Sequence, residues 1–95
     1  MAVNKIIKSF AVEDSEMWSV QLPNTTILLS PFVSDSVPRI SYVYESHPNI
    51  TYKKFSFMTV EENEEFSTHN AILYIGSYTL QNIHITYHVY QVIPQ

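Results

Sequence analysis

The stretch Ile83-His84-Ile85-Thr86-Tyr87-His88-Val89-Tyr90-Gln91-Val92-Ile93 decides the fold class. Ile83, Ile85, Tyr87, Val89, Gln91 and Ile93 alternate in it with His84, Thr86, His88, Tyr90 and Val92. Successive side chains of a strand point to opposite faces, so the first set makes the expected core face and the second the opposite one. A helix would need apolar residues at three- and four-residue spacing, and the run does not have them. It reads as one long strand.

The segments upstream follow the same period. Residues 71–75 are a short apolar strand ending at Gly76, the only glycine of the chain. A lone glycine there marks a bulge or a positive-φ position. Residues 77–80 continue the strand beyond it, and Gln81-Asn82 predicts a tight hairpin into the C-terminal strand. In residues 50–60, Tyr52 lies on one parity and Phe55, Phe57 and Thr59 on the other, so the buried face is expected to switch near Lys53-Lys54. His47-Pro48-Asn49 makes the turn before it. Residues 39–45 set Ile40, Tyr42 and Tyr44 against Ser41 and Val43, with Pro38 at the start, where no ladder hydrogen bond is lost. Residues 25–33 form a strand bent at Pro31. Residues 16–22 carry Trp18, Val20 and Leu22 on one face before a Pro23-Asn24 turn, and residues 6–12 open the fold. About seven strands at this spacing predict an all-β, antiparallel sandwich or a small, partly open barrel. Residues 61–65, with Glu61, Glu62, Glu64 and Glu65, read as a solvated acidic loop.

Composition bounds the rest. The 95 residues suit one domain, and 45% hydrophobic against 15% charged residues suits a folded one. No cysteine is present, which points away from a disulfide-stapled secreted domain and towards a cytoplasmic protein stabilised by packing or self-association. The first ten residues lack the apolar run of a signal peptide, and no stretch approaches the ~18 apolar residues of a membrane helix. The sequons at Asn24 and Asn49 are read as chance. A net charge of −4 argues against general nucleic-acid binding.

Chemistry-bearing residues are few. On a strand, His84 and His88 share a face but lie about 13 Å apart at about 3.3 Å per residue, too far to hold one zinc ion. The acidic run lacks the alternating ligands and central glycine of a calcium loop. Asp14 and Glu16 flank Ser15, as a turn satisfying its own amides would. One glycine and no cysteine leave no phosphate-cradling loop, nucleophile elbow or thiol chemistry, so no enzyme and no cofactor are expected. Lys53 and Lys54, as neighbours on a strand, point to opposite faces. Arg39 beside a Tyr-rich strand has the means to hold a phosphate and stack a base. The seven tyrosines exceed the expected needs of so small a core and predict a second buried surface. The candidate binding residues are therefore Arg39, Tyr42, Tyr44, Lys53, Lys54, His69, His88 and Tyr90.

Four short motifs carry a resemblance: the N-terminal strand at residues 5–10, Leu22-Pro23, Tyr74-Ile75-Gly76, and His88-Val89-Tyr90. Together the chain resembles a family of short, phage-encoded all-β domains of unknown function. It departs from that pattern where Thr68-His69-Asn70 stands in place of a Gly-His step. The resemblance implies a viral accessory protein working in the bacterial cytoplasm. It would block a host defence by sequestering an anionic nucleotide signal or by occluding a host protein. A self-assembling, virion-associated module is the alternative. A homo-oligomer is expected in either case.

Overall fold

A computed structural model describes residues 2–94. Seven strands follow in order: β1 (Lys5–Ala11), β2 (Trp18–Pro23), β3 (Ile27–Ser34), β4 (Val37–Glu45), β5 (Tyr52–Glu61), β6 (Ala71–Leu80) and β7 (Ile85–Ile93). All pair antiparallel, in a three-stranded sheet of order β1-β4-β3 and a four-stranded sheet of order β2-β5-β7-β6. Neither sheet closes on itself, so the architecture is a sandwich rather than a barrel. Among the described residues no helix is long and apolar enough to cross a membrane.

The alternation seen in the sequence sets the core. Ile40, Tyr42 and Tyr44 of β4 face Trp18, Leu22, Phe55, Phe57, Tyr78 and Val89 of the other sheet. Phe57 stacks on Trp18 at 4.6 Å between ring centroids, and Phe10 reaches both rings at 5.6 and 6.0 Å. Ile40, Phe57 and Val89 are fully buried, each contributing about 1.5–3 kcal/mol of transfer free energy. Thr59 is the polar residue of this layer. Its hydroxyl accepts from Trp18 Nε1 at 3.0 Å and donates to the Glu13 carbonyl at 2.9 Å, pinning the β1–β2 connection over β5.

The expected bend at Pro31 and bulge at Gly76 prove to be one feature. The β3–β4 register slips between Leu28 and Pro31, and the β6–β7 register between Tyr74 and Gly76. There the two edge strands meet: a Cβ on Gly76 would lie 2.6 Å from Pro31 Cδ, inside van der Waals contact. Gly76 also has φ of +155°, so the position takes glycine for room and for conformation alike.

Three expectations need correction. The hairpin is not a two-residue turn at Gln81-Asn82; Leu80 pairs with Ile85 across residues 81–84, and His84 takes φ of 55° in that turn instead of lying on the strand. The buried face of β5 does not switch near Lys53-Lys54. Residues 52–61 keep continuous register, so Tyr52 and Lys54 simply face outward while Lys53 and Phe55 face inward. The opposite face of β7 carries a small buried cluster of its own: Val92, Met58 and Val60 on the outer side of the four-stranded sheet, with Ile72 and Tyr90 against it. Finally, the core absorbs more tyrosine than expected, since Tyr42, Tyr44 and Tyr78 are buried and Tyr87 packs half-buried beside them.

Candidate functional site

The outer face of the four-stranded sheet brings together the densest group of polar aromatic side chains. Cross-strand register sets Tyr74 opposite Tyr90 and Met58 opposite Tyr90 from the other side, and Val60 opposite His88. Residues sharing a face two apart on β7 then place His88 beside Tyr90. Tyr74 donates its hydroxyl towards His88 Nδ1 at 2.9 Å, while His88 Nε2 meets Glu62 Oε1 at 3.1 Å. A carboxylate only accepts, so it selects the imidazole tautomer with hydrogen on Nε2, which leaves Nδ1 to accept from the phenol. Ring contacts extend the chain: Tyr74 lies 5.8 Å from His88 and 5.2 Å from Tyr90, and Phe66 lies 5.6 Å from Tyr90.

Glu62 and Phe66 come from the segment 62–70, which meets this face through the Glu62–His88 and Phe66–Tyr90 contacts. The carboxylate–imidazole–hydroxyl order is that of nucleophilic relays. Here, however, Glu62 is 54% exposed and Tyr74 52% exposed, so water screens the pair and its main effect is to fix ring positions. The arrangement presents half-exposed aromatic bodies with oriented polar tips, the composition favoured at protein interfaces.

The expected site residues do not form one site. His88 and Tyr90 lie in this cluster, and Lys54 points to the same face from β5, opposite Gln21. Arg39 is on the far side of the molecule, on the outer face of the three-stranded sheet, where its Nε donates to Ser9 Oγ at 2.8 Å and Nη2 to the Ser9 carbonyl at 3.1 Å. Tyr42 and Tyr44 are in the core, their rings 5.9 Å apart. Lys53 faces inward with its ammonium 5.1 Å over the Phe55 ring. His69 lies on segment 62–70, in the wall of a cleft of about 840 Å³ at the end of the sheet, whose rim carries Asp14, Glu16, Glu61, Glu64 and Glu65. Those carboxylates and burial act on the neighbouring phenols. Burial, Asp14 and Tyr87 push Tyr78 up to about 12, and burial, Asp14 and Glu61 raise Tyr87.

Tyr74, Glu62 and Phe66 were not among the expected site residues. The signal for Tyr74 is the β6–β7 register, readable once a four-residue turn and a bulge at Gly76 are both counted. No local pattern marks Glu62 or Phe66, because their role depends on where a loop crosses a sheet. No protein-family model, no curated protein and no solved structure matches this chain.

Proposed function

We propose that this is a non-enzymatic binding protein, of the phage accessory kind its sequence resembles, that counters a bacterial defence by occluding a host protein. One observation carries the reading: a half-exposed Tyr74 held by His88 and Tyr90 on a rigid strand face. Rigid tyrosines anchor interfaces because they bury large area at little entropic cost. Sequestering an anionic nucleotide draws less support, since Arg39, Lys53 and Lys54 occupy three different surfaces.

The test is capture from bacterial host lysate by the immobilised protein, compared with its Tyr74→Ala and Tyr90→Ala variants and with Arg39→Ala. The expected result is a partner retained by the wild type and Arg39→Ala and lost by the two tyrosine variants at unchanged fold. Retention by all of them, or a thermal shift with a cyclic nucleotide that Arg39→Ala abolishes, overturns it. The self-assembling alternative has its own observation. On the outer face of the three-stranded sheet, Ile7 and Ile27 flank Val43 in one cross-strand row and are 69% and 59% exposed. Sedimentation showing a stable oligomer that Ile7→Asp dissociates would favour that reading.

A further inference from the structure

We propose that the cleft between β3 and β6 binds a medium-chain fatty carboxylate, with its head at Lys53 and Thr26 and its chain between the two strands. The cleft follows from the corner described above. β3 and β6 touch where Pro31 packs on Gly76, and on the N-terminal side of that contact in both strands they border an open space of about 680 Å³. Ligand sites commonly measure about 300–1,000 Å³, with apolar walls and a few polar groups.

The walls are mostly aliphatic, with Ser30, Tyr74 and Gln91 among them. Ile27, Leu28 and Leu29 line one side, Leu73 and Ile75 the other, and the buried Phe55 contributes to the floor. Leu73 is 57% exposed, so this wall of the trough carries apolar surface left in water by the monomer.

The cation and a buried hydroxyl sit at one end, while Ser30 and Gln91 line the cleft further along. The backbone bond from Asn24 N to the Thr51 carbonyl and the pairing of Leu22 with Lys53 bring the β2–β3 turn alongside the start of β5. That places Thr26 and Lys53 in the same end of the cleft. Lys53 brings the positive charge, held over Phe55. The Thr26 hydroxyl is buried and has no hydrogen-bond partner within the protein. A buried polar group without a partner is costly, and a turn of the side chain into the cleft would let a ligand oxygen satisfy it. A single cation and an unpaired hydroxyl at the mouth of an aliphatic trough fit a carboxylate on an alkyl chain. Neutral lipid would leave the ammonium unused, and a cationic amphiphile would be repelled by it.

Isothermal titration calorimetry with dodecanoate, kept below its micelle concentration, tests this. Dodecyltrimethylammonium serves as the same chain with the opposite charge. Saturable binding of dodecanoate is expected, at least about tenfold weaker in Lys53→Glu, because a hydrogen bond to a charged group is worth about 1.5–3 kcal/mol. Leu73→Asp, at an exposed position, is expected to abolish binding with an unchanged circular dichroism spectrum. Thr26→Val is expected to weaken it less. Lys54→Glu makes the same charge change on the outer face and should leave it intact. Absence of saturable heat with dodecanoate, equal binding of the two amphiphiles, or an equal loss in Lys53→Glu and Lys54→Glu overturns the proposal.

Discussion

The two sheets of this sandwich share one core but treat their outer faces differently. The four-stranded sheet turns Met58, Val60 and Val92 outward and packs Ile72 and Tyr90 against them, so that they are 6%, 9% and 4% exposed. The three-stranded sheet turns Ile7, Val43 and Ile27 outward and leaves the outer two in water. The covered face also carries hydrogen-bonded polar rings, whereas on the bare face Arg39 binds back to Ser9. Apolar residues on the two outer faces thus serve different ends: on one they form a small second core with Ile72 and Tyr90, and on the other they are contact area left in water.

Trimming the same kind of side chain on each face gives the largest contrast. Met58→Ala should cost about 2–5 kcal/mol, since it opens a cavity among Val60, Val92, Ile72 and Tyr90. Ile7→Ser should change the stability of the monomer by no more than about 0.5 kcal/mol. Denaturant midpoints at low protein concentration measure both. Similar losses at the two positions would mean that the faces are not different in kind.

How much of this was legible in the sequence differs between the layers. The inward face was readable: Ile40, Tyr42 and Tyr44 of β4, and Phe55 and Phe57 of β5, keep strict parity because a one-residue slip would expose them all. Gly76 and Pro31 were each readable as irregular points, but their meeting was not, since contact between edges of different sheets leaves no local pattern. The outer cluster was legible only in part. His88 and Tyr90 stand on the clearest strand, yet their partners Glu62 and Phe66 belong to a loop that reads as solvated acid. The tyrosine excess was legible only in part for a related reason: Tyr42, Tyr44 and Tyr78 are buried in the core, and composition cannot separate such residues from surface ones.

The buried tyrosines sharpen the comparison through pH. Tyr78, on the four-stranded sheet, is raised to about 12 by burial, with Asp14 and Tyr87 adding to it. Tyr42, on the three-stranded sheet, is raised by burial, but Lys8 works against the rise. A phenol whose folded value lies above its unfolded value near 10 stays protonated in the folded chain where the unfolded chain has already ionised. Its stabilisation is therefore complete below about pH 10 and lost as pH climbs to about 12. Denaturant unfolding followed from neutral to alkaline pH should show a loss in this window that Tyr78→Phe reduces clearly and Tyr42→Phe reduces less. Equal effects would mean that burial alone, and not the carboxylates around the four-stranded sheet, sets the alkaline limit.

The smallest expected effect separates position from stability on the covered face. Glu62→Gln keeps an acceptor facing His88 Nε2 but removes the charge. The pair is exposed, so folding stability should change by no more than about 0.5 kcal/mol. The imidazole should respond more than the fold does. A carboxylate accepts only, which commits Nε2 to carry the hydrogen and Nδ1 to accept the hydrogen bond of the Tyr74 hydroxyl, whereas an amide can turn to accept or donate. Nitrogen chemical shifts of His88 should therefore show one tautomer in the wild type and a mixture in Glu62→Gln, with Tyr74 less firmly held. A single tautomer in both proteins, or a stability loss well above that of an exposed pair, would make Glu62 a structural strut rather than the group that aims the rings of this face.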